Sequence, residues 1–367
     1  MKVLKDNFLQ ALESVSPGVA SKNFIQQSDC FIFKNGEIVT LDEEVSVRVP
    51  SNLDPDFTAA IPAKSIREQL RRWKEEEIEV LESPEGLEIK GKGGRRAFFH
   101  AEKDIILPID NLEVPTDWLK LDPDFSDALK IVSACAKAND NNLIVRSVAI
   151  HPNFVEASDN SQLARFMVKT GVQELVLVRK SSIKHLPTID STEIAETAGW
   201  IHFRNPAKVQ FSIRKEIPPA DYPDWKPYLK KEGEKIILPK SLEDEAQNAA
   251  LFSAEITEAN FIRIDLKPGK MRVRGIGVSG WYEHPLKVEY KGPAMSFMVS
   301  PALLTEIVKR HHDAYVSSNK LLVDGGKFRS SIALEPIKKG KQDESQVERE
   351  AKENEQPVEE EVGSGAA

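Results

Sequence analysis

The sequence has little cysteine and no long apolar segment. Its two cysteines, Cys30 and Cys135, are far apart in apolar surroundings, a pattern that suits neither a disulfide framework nor a zinc site. We expect both to be small buried side chains in a reducing compartment. No apolar run is long enough to span a membrane, and the residues after Met1 lack the apolar core of a signal peptide. These absences predict a soluble, unexported, cytoplasmic protein.

Motifs that mark an enzyme or a metal site are also missing. We find no His-Glu-x-x-His pattern and no nucleophile elbow, and the glycine-rich segment 91–94 is too short for a phosphate loop. His311 and His312 are adjacent, so on a helix they point in different directions and make a poor metal pair. Asp159 stands alone beside Asn160 and favours a turn. The sequence therefore predicts no enzyme, no cofactor and no metal.

Charge is unevenly distributed along the 367 residues. The net charge is −8, and residues 341–367 hold nine acidic and three basic residues, a net charge of −6. The remaining −2 leaves residues 1–340 nearly neutral, so nucleic-acid binding needs basic residues gathered on one face. Residues 339–367 lack aromatics and are rich in Glu, Gln and Lys, which predicts a disordered acidic tail.

Three stretches with helical character begin three similar blocks of sequence. In the first two, apolar residues recur at helical spacing, at Phe8, Leu12, Val15, Phe125, Leu129 and Val132. The third stretch includes 247–251. Asp122 followed by Pro123 suits a helix N-cap with proline at the first helical position, and 241–244 resembles a capping box. Short β runs follow each helix, the clearest being a hairpin around Asn35-Gly36.

A strand that leads into a second helix follows each first helix at the same distance. The intervals Leu12 to Ile61, Leu129 to Val178 and Ala250 to Val299 are each 49 residues. Two further strands close each unit, at 77–81 with 87–90, 200–203 with 209–213, and 320–323 with 328–334. Links with Trp118 and Trp225 follow the first two units. The repeat predicts domains at 1–120, 121–228 and 229–338.

The repeat resembles the bacterial DNA polymerase III β sliding clamp over nearly all of residues 1–338. Segments 155–164, 222–225 and 334–338 are similar to the family's Val-Ala-Thr-Asp-Gly-His-Arg-Leu-Ala, Phe-Pro-Asp-Tyr and Met-Pro-Met-Arg motifs. Asn160, Ser161, Gln162 and Glu335 depart from those motifs, as in a divergent clamp of phage or plasmid type. The resemblance implies an α+β fold of three tandem clamp domains, each with two helices packed on β-sheets.

The resemblance also implies a ring of two head-to-tail copies around double-stranded DNA, held without sequence preference. Twelve helices would line the opening, and basic residues on them would contact phosphates. Lys130 and Lys137 are predicted on a first helix and the others, Arg179 included, on or beside the second helices. The predicted DNA-binding residues are Lys64, Arg67, Arg71, Arg72, Lys74, Lys130, Lys137, Arg179, Lys180, Lys184, Lys309 and Arg310. For any single lysine the alternative is a solvated helix face.

A partner pocket between domains two and three is the last implication of the resemblance. It would bind short peptide motifs of the DNA polymerase and the clamp loader through an apolar cleft. Its predicted lining is Val145, Ser158, Leu163, Ala333, Glu335, Pro336, Ile337 and Lys338. The alternative is that residues such as Leu163 belong to an ordinary core.

Three other functions stay open at this point. The chain fits a clamp-like scaffold that recruits repair or transcription factors, and its acidic tail would then mimic nucleic acid or regulate a loader. The second alternative is an enzyme of unrecognised type, which needs a polar constellation that the sequence does not show. The third is a structural oligomer that ignores DNA. The altered positions Asn160–Gln162 and Glu335 favour the scaffold over a standard clamp.

Overall fold

Three similar units follow one another in the computed structural model, which describes residues 1–21, 25–83, 85–186, 189–254, 261–309 and 311–336. Within those ranges each unit has one strand, a first helix, four strands, a second helix and at least three closing strands. A strand precedes the second helix in every unit, as the constant interval predicted. The predicted tail, 339–367, lies outside the described residues, and the domain boundaries stay predictions.

Helices occupy equivalent places in the three units. The first helices are α1 (Lys5–Val15), α3 (Phe125–Ser133) and α5 (Leu242–Ser253). The second helices are α2 (Ala63–Arg72), α4 (Lys180–Ile183) and α6 (Pro301–Val308). Helix α2 shows why they pack: Ala63, Ile66 and Leu70 recur at helical spacing and are buried, so one stripe faces the sheets.

The described strands fall into three sets, one for each unit. Unit one contains β1 (Lys2–Leu4), β2 (Cys30–Lys34), β3 (Glu37–Leu41), β4 (Val45–Pro50), β5 (Ala59–Pro62), β6 (Glu77–Ser83), β7 (Gly86–Lys90) and β8 (Arg96–His100). Unit two contains β9 (Leu119–Lys120), β10 (Ser147–His151), β11 (Phe154–Ser158), β12 (Gln162–Met167), β13 (Val176–Arg179), β14 (Glu193–Glu196), β15 (Trp200–Arg204) and β16 (Gln210–Arg214). Unit three contains β17 (Glu234–Ile237), β18 (Ile262–Lys267), β19 (Lys270–Ile276), β20 (Trp281–Lys287), β21 (Met295–Val299), β22 (Asp313–Val316), β23 (Lys320–Asp324), β24 (Phe328–Ala333) and β25 (Glu335–Pro336).

The hairpin predicted around Asn35 and Gly36 is present between β2 and β3. Both turn residues have positive φ, 53° for Asn35 and 74° for Gly36. A two-residue turn of this kind matches the twist of the flanking strands, and Asn-Gly is the pair that adopts it at least cost. The local sequence therefore fixes the register of this hairpin.

Two eight-stranded sheets cross from one unit to the next. In the first, β4 of unit one pairs with β16 of unit two, and in the second, β12 of unit two pairs with β24 of unit three. We call these contacts the first and second junctions. A four-stranded sheet ends at β8 and a five-stranded sheet ends at β20. These two strands are the counterparts of the strands that pair at the junctions, and each lacks a partner on that side among the described strands. We call them the two free edges.

The apolar interior lies on the helix side of the sheets, and the links between units cover the other side. Phe31, Phe33 and Ile61 are fully buried beneath the helices of unit one. Their neighbours in the strands, such as Ile32, face the opposite side and pack against Leu107 and Ile109 of the first link. We use the name outer face for this second side. Both links thus stabilise a junction as well as connecting two units.

Some local predictions were wrong in detail. Helix α3 begins at Phe125, two residues after Pro123, because the Asp122 carboxylate accepts the Asp124 N–H at 3.0 Å in a turn before the helix. Ser241 occupies the N-cap of α5 but makes no capping hydrogen bond through its side chain. Lys137 lies beyond the end of α3, and Arg179 ends strand β13 instead of lying on α4.

The cysteine prediction is confirmed. Cys30 and Cys135 are free and buried. Burial, aided by the neighbouring Asp29 carboxylate, raises the pKa of the Cys30 thiol to about 12. Burial also raises the pKa of Cys135, so both side chains are uncharged packing groups at neutral pH.

Candidate nucleic-acid interface and partner surfaces

Helix α2 presents a basic face away from the sheets. Lys64, Arg71 and Arg72 are exposed on it, and Lys74 is exposed just after its end. Arg71 shares a 2.8 Å ion pair with Glu13 of α1. Arg67 is half-buried, and its Nε is buried without a hydrogen-bond partner. The predicted residues of unit one therefore lie together, although Arg67 and Arg71 are partly committed to contacts in the protein.

The basic residues predicted for the second helix of unit two have different roles from those of α2. Helix α4 is a single turn, and Lys184 follows its last residue and is exposed. Lys180 donates to the Ala136 carbonyl oxygen at 2.7 Å, and burial lowers its pKa. Only Lys184 of this group is presented to solvent as a mobile cation.

Arg179 is a bridge between units one and two. Its guanidinium pairs with Glu44 in the β3–β4 turn of unit one and, at 2.5 Å, with Glu216 beyond β16. Burial disfavours the charge, but the hydrogen bonds and attraction of Glu216 and Glu44 raise the pKa of Arg179. Glu44 also accepts a 2.7 Å hydrogen bond from Ser182 of α4. These contacts assign Arg179 to the first junction.

The remaining predicted DNA contacts are divided between an exposed group and a paired one. Lys130 is exposed in the last turn of α3, and Lys137 is exposed after it. Lys309, at the end of α6, lies 3.6 Å from Glu243 of α5. Arg310 lies outside the described residues. Lys309, the described one of the two residues predicted in unit three, is therefore paired with a carboxylate of its own unit.

Helix α5 differs in charge from α2. Its first turn holds Glu243, Asp244 and Glu245, and its sequence contains no basic residue. Glu245 accepts a hydrogen bond from the Tyr282 hydroxyl, while Asp244 is exposed. The exposed face of α2 is thus basic, whereas the first turn of α5 is acidic.

A small apolar cluster lies on the outer face beside the second junction. It consists of Leu163, Leu229 and Leu322, with Trp225 and Tyr315 packed against it. We call it the outer-face cluster. Leu163 belonged to the predicted peptide pocket, whereas Leu229 and Leu322 did not, because in sequence they look like ordinary link and strand residues.

Other predicted pocket residues surround this cluster unequally. Ser158 is buried opposite Leu163 in the β11–β12 pairing, and Val145 is buried but outside the cluster. Ala333 is exposed, and its N–H donates to the Ser161 carbonyl at 2.7 Å. The backbone of Glu335 and Pro336 forms β25, which pairs with β21. Ile337 and Lys338 lie outside the described residues.

The divergent segment around Asn160 forms a tight turn at the second junction. Asp159 accepts hydrogen bonds at 2.9 Å from the N–H groups of Ser161 and Gln162. Asn160 has φ 72°, which an asparagine tolerates better than most residues. Asp159 is therefore a turn former, as expected from its neighbours.

The two free edges expose large apolar side chains. On β8, Phe98 is 42% exposed, and on β20, Trp281 is 59% exposed. Ile276 and Val278, which precede β20, are also exposed. An unpaired edge with apolar side chains is a site for pairing with another strand. Sequence reasoning did not identify either edge, because an edge is defined by the partner that the strand lacks.

Three units with paired helices over shared sheets constitute the fold of the sliding clamps. The DnaN sliding clamp (DNA polymerase III subunit beta) of Pseudomonas aeruginosa matches with a TM-score of 0.76 at 14% identity, over 92% of this chain and 99% of that one. The sliding clamp of Bacillus subtilis and the DNA polymerase III beta subunit of Thermotoga maritima each match with a TM-score of 0.74, at the same identity and coverage. The predicted α+β clamp fold is confirmed.

Comparison of sequences finds no match, in contrast to the comparison of structures. No protein-family profile and no curated protein sequence match this chain. None of the helices in the described part is long and apolar enough to cross a membrane. Among the same residues, no group of three or more His, Cys, Asp or Glu side chains is placed to hold a metal ion.

Proposed function

We propose that this chain is a DNA sliding clamp that closes as a head-to-tail dimer around duplex DNA and tethers a DNA polymerase. The observation that carries the proposal is the pair of free edges, β8 and β20, at opposite ends of a clamp fold. Each is the counterpart of a strand that is paired inside the chain. A second copy can therefore repeat the internal junctions and close the ring.

The two internal junctions use one register. In the hairpins whose second strands are β4, β12 and β20, the first paired residues after the turn are Ser46, Leu163 and Trp281, respectively. In the hairpins that end in β16, β24 or β8, the first residue paired after the turn is Gln210, Arg329 or Arg96. At the first junction Gln210 pairs with Arg48, which is two residues after Ser46. At the second junction Arg329 pairs with Arg165, which is likewise two residues after Leu163.

Extending that register to the free edges gives specific contacts. Trp281 of one copy falls opposite Phe98 of the next, and Glu283 falls opposite Arg96. Directly opposite aromatic side chains and opposite charges are the cross-strand pairs that stabilise an antiparallel sheet, by ~0.2–1 kcal/mol each. The match supports dimerisation through β8 and β20, because the register was taken from the internal junctions and an arbitrary alignment of the two strands would not be expected to give either pair.

The dimer is tested by light scattering across a dilution series. One chain is 41.1 kDa, and we expect the dimer, twice that mass, over most of the series. A Trp281→Arg change places a charge opposite Phe98 and diagonally beside Arg96, and should shift the protein to the monomer. A wild-type monomer at every concentration, or a trimer, contradicts the proposed ring.

DNA contact is assigned to exposed lysines of the helix layer. Lys64, Lys130 and Lys184 are exposed and have no ion pair in the described part of the chain. Changing all three to Gln should weaken retention of the ring on circular DNA, and each lost phosphate contact lowers the salt slope by ~0.9. The matched control is Lys103, Lys226 and Lys230→Gln on the exposed links of the outer face. Equal losses from both variants would contradict a helix-layer DNA site.

Partner recruitment is assigned to the outer-face cluster. Its apolar side chains beside a junction suit short peptide motifs with aliphatic or aromatic anchors, from a DNA polymerase and a clamp loader. Leu163→Asp should abolish binding of such a peptide, measured by fluorescence anisotropy. Tyr315→Ala shortens a partly buried side chain of the same cluster and should also weaken peptide binding. It is the milder change, so a loss of affinity in this variant is not explained by a folding defect. Intact peptide affinity in both variants contradicts this assignment and favours the scaffold alternative.

A further inference from the structure

An open pocket of about 560 Å³ lies where α2 ends beside the β7–β8 turn. It combines four basic and two acidic side chains, which are Arg72, Lys74, Glu75, Glu76, Lys92 and Arg95. The pocket opens next to β8, the free edge of unit one. The pocket and its charged lining are features of a single copy and do not depend on the register proposed for the pairing of β8 with β20.

The charges of the pocket are only partly compensated. One guanidinium nitrogen of Arg95, Nη1, donates to both carboxylate oxygens of Glu75, at 2.8 and 3.0 Å. The Arg95 guanidinium also lies 5.7 Å from the Trp73 ring centroid. No ion pair is found for Arg72, Lys74 or Lys92 within the described ranges. Three cations thus converge on one open space, an arrangement that an incoming carboxylate or phosphate would stabilise.

The second junction shows what the equivalent turn does when its neighbour is present. Lys327, in the β23–β24 turn of unit three, places Nζ 2.6 Å from the carboxylate of Asp124 in unit two. Asp124 is the N-cap residue of α3, the first helix of that unit. The Lys327 carbonyl also accepts the Met167 N–H at 2.8 Å. At the second junction, the closing turn of unit three therefore reaches the start of the first helix of unit two.

The same relation at the ring-closing edge joins this basic pocket to α5 of a second copy. We infer that the pocket of one copy receives the acidic first turn of α5, with Asp244 as its principal ligand, from the next copy. The inference rests on the proposed head-to-tail dimer and adds a charge contact to the strand pairing. Asp244 is exposed, whereas Glu243 and Glu245 already have partners in their own unit.

This assignment changes the role of two residues predicted to contact DNA. Arg72 and Lys74 become part of the closing interface, where the acidic first turn of α5 beside them would repel DNA phosphates. Charge complementarity across an interface fixes partner and register and is reduced by salt. The contact is consequently a salt-sensitive latch on ring closure.

A charge-reversal cycle tests the latch in the full-length chain. Lys92→Glu and Asp244→Lys should each weaken dimerisation about tenfold at low salt, measured by sedimentation equilibrium. The double variant should return to within about threefold of the wild type. At about 1 M salt all four proteins should converge, because the Debye length falls to about 3 Å. Lys103→Glu, on the outer-face link, is the matched control.

The outcomes separate the latch from the ring itself. Dimerisation that responds to Trp281→Arg but not to Lys92→Glu leaves the ring intact and overturns the latch. Weaker DNA retention in Lys92→Glu with unchanged dimerisation also overturns it, since the pocket then binds DNA phosphate. Absence of rescue in the double variant overturns the pairing with Asp244. The neutral pair, Lys92→Gln and Asp244→Asn, gives the same answer if a reversed charge impairs folding, and a monomeric wild type overturns both proposals.

Discussion

The strand edges inside the chain and those at its two ends share a geometry but differ in their surroundings. At the first junction Phe211 lies opposite Val47, and both are fully buried. At the free edges Phe98 and Trp281 are 42% and 59% exposed. Exposed apolar edges favour aggregation unless they are covered or flanked by charge, and here Arg96 and Glu283 supply the charge. The difference shows that the inner edges belong to the folded core, and the exposed outer edges are the ones that the proposed dimer would cover.

Helix charge follows the same division. The exposed face of α2 is basic, while α5 carries an acidic first turn and no basic residue. In the proposed head-to-tail dimer, the basic face of α2 in one copy would lie nearest the acidic first turn of α5 in the next copy. Head-to-head pairing would place α2 beside α2, and like charges placed together cost free energy. The charges of these two helices therefore favour the head-to-tail direction of the proposed ring.

The largest expected effect comes from opening an internal junction. Phe211→Ala removes a fully buried ring from the first junction and should lower the free energy of unfolding by about 3–5 kcal/mol. Phe98→Ala, at a free edge, should cost less than about 1 kcal/mol at concentrations where the chain is monomeric. Urea unfolding followed by circular dichroism measures both. Equal losses would mean that β8 belongs to the folding core as fully as β16.

A pH-dependent effect of intermediate size is expected beside the same junction. His202 is buried between Ser212 at 2.8 Å and Thr197 at 2.9 Å, and Ser212 lies opposite Ser46 across the junction. Burial, followed by the charge of Arg48, lowers the pKa of His202 from 6.5 to about 4. The unfolded chain therefore takes up a proton near pH 6.5, whereas the folded chain stays unprotonated until about pH 4.

Folding stability should consequently fall as the pH drops from about 6.5 to 4. The loss from this one group is up to about 3 kcal/mol, complete below the folded pKa. His202→Gln keeps a polar side chain at the site and should flatten this part of the stability profile. Chemical denaturation at pH 7, 5.5 and 4.5 measures the difference. Parallel profiles for the two proteins would rule out His202 as the source.

The sequence predicted the repeated units well because their signals are local. Strand alternation, helical spacing and the Asn35-Gly36 turn all depend on residues that are close in the chain. The interval of 49 residues between the same two elements recurs in all three units, which strengthened the prediction. The extent of α4 was not predicted, because Ser181 and Ser182 fit a helix as well as a turn. Their hydroxyls donate to Glu44, more than 130 residues away in the chain.

The candidate sites were predictable in type but not in membership. Basic residues near the second helices were visible in sequence, yet Arg179 and Lys309 are paired with Glu44 and Glu243. Such partners are set by tertiary packing, which spacing along the chain does not encode. The outer-face cluster shows the same limit, since Leu322 joins Leu163 only through pairing of β12 with β24.

The smallest expected effect concerns the ion pairs of Arg179, which act across the first junction. Arg179, Glu44 and Glu216 are each a quarter to a third exposed, so their attraction is stronger than that of a surface pair but still screened. Arg179→Gln leaves two carboxylates near each other without a cation and should lower the free energy of unfolding by about 1–2 kcal/mol. Lys235→Gln breaks a much more exposed pair with Asp313, which solvent screens more strongly, and should cost clearly less than Arg179→Gln.

A double-mutant cycle with Glu44→Gln separates the junction from the local contact with Glu216. If Arg179 and Glu44 are coupled, the double variant is more stable than the sum of the single losses predicts. Additive losses would mean that Arg179 acts mainly through Glu216 and does not link the units. Because both partners are partly exposed, the coupling should shrink at high salt, whereas the loss from Phe211→Ala should not. That contrast would show that burial supplies most of the stability of a closed junction and that charge selects its partner.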